Sequence, residues 1–178
     1  MSVVRSPLAV AAAAALLPVT LLVTLASTAG CAVAPPAHGT GRAEVQGSWG
    51  APTGEHALPG GGHRLEYASG PYGRTTWMVD LDATGRVQQA RQVLNEAEFQ
   101  AVLSTPNLRR GEVLSRLGAP GEVRGYGWRR EDRGNQIWSW RYPTNDCLWF
   151  QITLAADGRV TGGGYGVDPA CDTPSDRD

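Results

Sequence analysis

Apolar and polar residues alternate with a period of two along three stretches of the chain. Trp138, Trp140 and Tyr142 alternate with Ser139 and Arg141, and Leu148, Phe150, Ile152 and Leu154 alternate with Trp149, Gln151 and Thr153. Trp77, Val79 and Leu81 share one side of the third stretch. This period predicts strands that bury one face. Helical spacing is found at Val113, Leu114 and Leu117, with Asn107 as the expected N-cap and Gly118 and Pro120 as the stop. A further helix is predicted from Asn95 to Leu103, where Asn95 and Glu98 have the form of a capping box and Pro106 ends the run. Hairpin turns are expected at Ala83-Thr84-Gly85-Arg86 and Ala156-Asp157-Gly158-Arg159, since Asp-Gly readily takes the positive φ that such turns need.

The pattern occurs twice. Arg42 to Pro52 aligns without gaps with Arg110 to Pro120, and both segments end in Gly-Ala-Pro. Further along, Leu65-Glu66-Tyr67 matches Trp140-Arg141-Tyr142, and the run from Trp77 to Gly85-Arg86-Val87 matches that from Phe150 to Gly158-Arg159-Val160. Landmarks that recur in the same order indicate tandem copies of one unit. The expected fold is α+β, with two small units that each pack a helix or helix pair on an antiparallel sheet of about three strands. In the first unit the leading helix is missing; in the second, the first hairpin is longer and runs through Arg129-Arg130-Glu131-Asp132-Arg133-Gly134-Asn135.

Ahead of these units stands an uncharged apolar run from Pro7 to Ala29, preceded by Arg5. This is the layout of a signal peptide. An uncleaved anchor is the rival reading, because about 18 to 20 apolar residues can span a bilayer. The flank decides for cleavage: Ser27-Thr28-Ala29-Gly30-Cys31 resembles the lipobox of bacterial lipoproteins, with Thr28 where Leu is usual. A cut after Ala34 would instead leave Pro35 at the new N-terminus, which the ordinary peptidase tolerates poorly. Cys31 is therefore the expected lipid-carrying residue, and Ala32 after it is the Gram-negative signal for the outer membrane, on its periplasmic face. The expected boundaries are 1–30 signal peptide, 31–41 flexible tether, 42–94 first unit, 95–170 second unit and 171–178 tail. All 16 basic residues are Arg, one of them Arg5, and 17 acidic residues balance them. With no basic excess to neutralise phosphates, nucleic acid is not an expected partner.

Glu112-Val113, Leu117-Gly118-Ala119-Pro120, Trp140-Arg141-Tyr142 and the hairpin from Phe150 to Val160 follow one another in the second unit. In this the chain resembles the SmpA/OmlA family, the BamE-like outer-membrane lipoproteins, and departs from it by being duplicated. The resemblance implies a small α+β lipoprotein that binds envelope proteins, with outer-membrane assembly machinery as the implied partner. Tandem helix-and-sheet units of this kind are also similar to β-lactamase inhibitor proteins. That likeness implies a clamp on a secreted or periplasmic enzyme, with a row of exposed aromatics across both sheets.

Candidate chemistry is sparse. With Cys31 lipidated, Cys147 and Cys171 remain, and an oxidising compartment lets them form one bridge. The rivals are two free thiols or a metal-bound pair, but no Cys-x-x-Cys spacing or neighbouring His favours metal. His56 and His63, near Glu55 and Glu66, fit no ligand spacing and are expected in a solvated hairpin loop. No nucleophile elbow, phosphate loop or zinc-protease motif is present, so neither an enzyme nor a cofactor is expected. Trp138 and Trp140 are expected in the core. Trp149 faces the other way, and with Trp128, Arg129 and Arg130 it forms the expected partner surface.

Overall fold

The computed structural model describes residues 34–126, 133–168 and 171. The predicted signal peptide 1–30, Cys31, Trp128, Arg129, Arg130 and the tail beyond Cys171 lie outside the described residues. The first repeat consists of α1 (Arg42–Trp49) followed by β1 (Gly54–Ala57), β2 (His63–Ala68), β3 (Thr76–Leu81) and β4 (Val87–Gln92). In the second, α2 (Glu96–Ser104) and α3 (Arg110–Leu117) precede β5 (Glu122–Tyr126), β6 (Asn135–Arg141), β7 (Leu148–Leu154) and β8 (Val160–Val167). Each repeat contains a four-stranded antiparallel sheet in sequential order. The expected three strands become four because β1 and β5 are short, and partial exposure gives them no apolar period to read.

Local geometry repeats as closely as the sequence does. Arg42 N–H donates to the Gly85 carbonyl at 2.9 Å, and Arg110 N–H donates to that of Gly158 at 2.8 Å. Isolated bridges join Gly41 to Arg86 and Arg109 to Arg159. The register slips by one residue after Asp80 of β3 and after Thr153 of β7, leaving Gln88 of β4 and Thr161 of β8 as the bulged residues. Strand pairing also corrects one alignment: Tyr67 pairs with Trp77 as Trp140 pairs with Phe150, so Tyr67 is the counterpart of Trp140, two residues before Tyr142.

Two further expectations change. Gly39 N–H donates to the Val87 carbonyl at 2.7 Å and Val87 N–H to that of Thr40 at 2.9 Å, so the last residues of the expected 31–41 tether belong to the fold. Backbone pairing to a strand edge leaves no sequence period, which is why composition alone reads this stretch as free. Asn107 is not the cap of α3. It takes φ 56°, a left-handed conformation that Asn tolerates, and Arg109 is the N-cap, its N–H donating to Glu112 Oε2 at 2.8 Å. Asn95 does cap α2, with its side chain accepting from Glu98 N–H at 3.1 Å.

The apolar residues form two clusters. Val45 and Trp49 of α1 pack on Leu65, Val79, Leu81 and Val87, on what we call the near face of the first sheet. Phe99, Val102, Val113 and Leu117 of α2 and α3 pack on Trp138, Trp140, Phe150, Ile152 and Leu154, the near face of the second. Phe99 stacks on Phe150 with ring centroids 4.3 Å apart. The far face of the first sheet is covered as well, since Glu66, Thr76 and Met78 are all buried. The second repeat lies against this face, with Gly118 beside Glu66 and Thr76. Ala119 N–H donates to Glu66 Oε1 at 2.9 Å, Arg64 Nη1 to the Ser115 carbonyl at 2.7 Å, and Arg91 pairs with Glu98. Helix α3 is thus shared between the two sheets.

The Asp82 carboxylate accepts from Arg86 N–H at 3.0 Å and from Thr84 N–H at 2.9 Å, the turn bonds that hold its pKa below the ordinary value. The Arg42 hydrogen bond does the same for Glu55. A carboxylate whose pKa is depressed on folding stabilises the fold above its unfolded pKa, and that contribution fades as pH drops through the folded value. Thermal unfolding should therefore move to lower temperature as pH falls below about 4, the ordinary carboxylate range. Asp82→Asn should reduce the slope of that curve, an effect kept small by solvent. Identical slopes in calorimetry would remove Asp82 from the account.

Candidate functional site

Glycine at every second position is unusual in a strand, where it weakens packing and often marks close approach by a ligand or another backbone. β8 has Gly162, Gly164 and Gly166 on the far face of the second sheet, with Gly163 turned towards the helices. Packing bears on two of the four, firmly at Gly163 and at Gly166 only through the end of a side chain that can move. A Cβ at Gly163 would lie 2.8 Å from Leu103 Cδ2 of α2, and one at Gly166 would lie 2.5 Å from Gln151 Oε1. At Gly162 and Gly164 a Cβ would meet nothing within 4 Å. Neither has a positive φ. No intramolecular contact or backbone strain requires glycine at these two positions.

Beside this bare strip lies a cleft of about 300 Å³ lined by Ile137, Gln151, Thr153, Gly163, Gly164 and Tyr165. Its polar groups are neutral. Gln151 Nε2 donates to Ser139 Oγ at 3.1 Å, and Thr161 Oγ1 donates to the Thr153 carbonyl at 3.2 Å. Strand register shows how far this face departs from its counterpart in the first repeat. Arg64 and Asp80 form a cross-strand ion pair at 2.6 Å, whereas Ile137 and Thr153 stand at the equivalent places. Arg91 becomes Gly164, and Glu66 becomes Ser139. The charges that join the first sheet to α2 and α3 have been replaced by small or uncharged groups on a surface that no helix among the described residues covers.

Trp149 is not part of an exposed surface. It lies on the far face as its alternation requires, but is only 5% exposed. The Arg141 guanidinium sits 5.1 Å from its ring centroid, and Tyr72 of the β2–β3 loop stacks on the same guanidinium at 5.5 Å. Arg141 is held in turn by Asp168 at 2.9 Å. The group over the ring belongs to its cross-strand neighbour, held in place by Tyr72 and Asp168, which alternation cannot foresee. Trp128, Arg129 and Arg130, the rest of the expected surface, lie outside the described residues.

Cys147 and Cys171 are joined in a disulfide, with Cα atoms 5.5 Å apart. The bridge closes the end of β8 onto the loop before β7, where Asp168 N–H also donates to the Cys147 carbonyl at 2.8 Å. His56 and His63 lie in β1 and β2 rather than in a loop. They face opposite sides of the sheet: His56 Nε2 is 3.1 Å from Glu66 Oε2, and His63 Nδ1 is 2.8 Å from Glu55 Oε1. Among the described residues, no three His, Cys, Asp or Glu converge as metal ligands.

Glu66 is the residue that the sequence conceals. It accepts from Ala119 N–H as well as facing His56, tying the two repeats together, yet nothing in Leu65-Glu66-Tyr67 marks it as buried. The alternate glycines of β8, by contrast, are visible in the sequence. No protein-family model, curated protein or solved structure matches the chain. The two sheets share no open face, because the far side of the first is covered by the second repeat. Trp138, Trp140 and Trp149 are all buried and contribute nothing to the row of exposed aromatics expected of a double-sheet clamp.

Proposed function

We propose that this is a lipid-anchored envelope protein, a duplicated BamE-like module that binds other proteins through the far face of its second sheet. Its role is accessory to outer-membrane protein assembly or envelope integrity. One observation carries the choice of surface: Gly162 and Gly164 leave bare backbone beside an open neutral cleft, with no packing reason for either. An uncharged surface suits protein contact, because it can be buried without desolvating an unpaired charge. The anchor rests on Cys31 and the small residues before it, and the family on the helix pair that precedes the Gly-Ala-Pro turn. Among the described residues, no helix is long and apolar enough to cross a membrane.

Affinity capture from envelopes tests the surface. The full-length protein is compared with Thr153→Arg, whose side chain would project into the cleft from a strand that keeps its backbone pairing. A clash costing only ~1.4 kcal/mol would lower partner recovery about tenfold. Equal recovery by both proteins would remove this face from the proposal. Fatty-acid labelling, run in parallel on the intact chain and on Cys31→Ser, tests the anchor. Label should be lost in the variant, and retained label would place the lipid elsewhere.

A further inference from the structure

Exposed sheet edges carry unpaired N–H and C=O groups, and proteins guard them with short strands, charges or a covering segment. Three of the four edges here are guarded. β1 has four residues, and its Glu55 is held by Arg42 at 2.7 Å. β5 has five residues, with Glu122 and Arg124 paired to each other at 2.9 Å. β4 carries Arg91 and is covered at its start by Gly39 and Thr40. β8 differs. It is the longest strand of the described fold, with eight residues, and has no charged residue or proline from Val160 to Val167. Leu108 covers its first residue, through a bond from Val160 N–H at 2.9 Å, and the bulge at Thr161 interrupts the next, so the regular open edge runs over 162–167. No strand among the described residues pairs with the rest.

Hydrogen-bond parity identifies the groups that face outwards. Tyr142 N–H donates to the Leu148 carbonyl at 2.9 Å and Asp168 N–H to that of Cys147 at 2.8 Å. Since bonded and non-bonded pairs alternate in an antiparallel ladder, Gly162, Gly164 and Gly166 bond inwards to β7. The backbone groups of Gly163, Tyr165 and Val167 are left pointing to the free edge. Tyr165 and Val167 are also 40% and 63% exposed, among the few large apolar residues that are.

We propose that β8 pairs antiparallel with β8 of a second copy of this chain, about a two-fold axis at Gly164, to form a continuous eight-stranded sheet. This inference concerns the strand edge and goes beyond the partner-binding face. Only registers that place outward groups opposite outward groups are allowed. The one centred on Gly164 sets Gly163 against Tyr165 of the second copy and Gly162 against its Gly166. Both pairs are favourable: an aromatic ring covers a facing glycine, and two facing glycines let the backbones approach closely. No like charges are brought face to face along the strand. A two-fold contact of one edge with itself is closed, so association stops at the dimer.

Sedimentation velocity of the full mature protein in detergent should show a concentration-dependent dimer. Val167→Pro removes an N–H that makes no bond within the monomer; it should leave the unfolding temperature nearly unchanged and weaken dimerisation at least about tenfold. A monomer at all concentrations, or a dimer unaffected by Val167→Pro, would overturn the proposal. Crosslinking tests the register. Across the axis, Gly164 faces itself in a non-bonded pair, where Cα atoms lie about 4.5 Å apart and a disulfide can form. Under mild oxidation Gly164→Cys should crosslink, whereas Gly162→Cys, placed opposite Gly166, should not. Equal crosslinking of both would exclude this register. Envelope capture through the cleft is read separately, so loss of the dimer leaves that surface standing.

Discussion

Gly118→Ala is expected to destabilise the protein far more than Gly50→Ala, although the two glycines occupy the same place in their repeats. Gly50 has φ 82° and ψ −168° and Gly118 has φ 78° and ψ −173°, a region of backbone space nearly closed to other residues. Holding alanine there costs about 1–3 kcal/mol at either position. The surroundings then separate them. A Cβ at Gly50 would meet nothing within 4 Å, whereas one at Gly118 would lie 2.8 Å from both Glu66 Cδ and Thr76 Cγ2. Neither neighbour has room to withdraw, because Glu66 is buried and bonded to Ala119 N–H, so overpacking adds about 1–3 kcal/mol at Gly118 alone. Chemical denaturation of the two variants should show total losses of about 2–6 kcal/mol for Gly118→Ala and about 1–3 kcal/mol for Gly50→Ala. Equal losses would mean that the junction between the repeats is looser than the contacts at Glu66 imply.

The Cys147–Cys171 bridge is the second large contribution. It closes a loop across 24 positions, worth about 3 kcal/mol when the constraint on the unfolded chain is counted. The Cys147→Ser, Cys171→Ser double variant should therefore melt about 6–12 °C lower than the parent, at the 2–4 °C per kcal/mol usual for a chain of this size. The loss should centre on the end of β8, where Asp168 pairs with Arg141 and Arg141 lies over Trp149. Fluorescence of the tryptophans should shift as water reaches Trp149. An unchanged melting temperature would limit the bridge to tethering the residues beyond β8.

How much of this was legible in the sequence depended on whether the cause was local. β3, β6 and β7 declare themselves by alternation, because each presents one face to helices. The Gly158 turn, with φ 81°, and the Asn95 cap follow from the chemistry of single residues. The repeat was legible as well, although the match of Tyr67 to Tyr142 slipped by two residues, since both repeats have an aromatic near the end of that strand. What stayed hidden was set by distant chain. Trp149 is correctly placed on the far face, yet it is buried, with Arg141 over its ring and Tyr72 of the first repeat against that guanidinium. Glu66 and Arg64 are ordinary polar residues until α3 lies against them. At the candidate site, the alternate glycines could be read directly, but only the open space around Gly162 and Gly164 distinguishes them from Gly163 and Gly166.

The sharing of α3 between two sheets has a consequence for how the protein comes apart. Its apolar side completes the core of the second repeat, while its C-terminal turn seals the buried Glu66 of the first. If the second repeat frays, Thr76 and Glu66 lose their cover with it, so the first cannot persist as an independent native fragment. Nearest-neighbour coupling of this strength merges two repeats into one cooperative transition. A protease that reaches the chain between the repeats would meet either the intact fold or an unfolded chain, and no trimmed survivor.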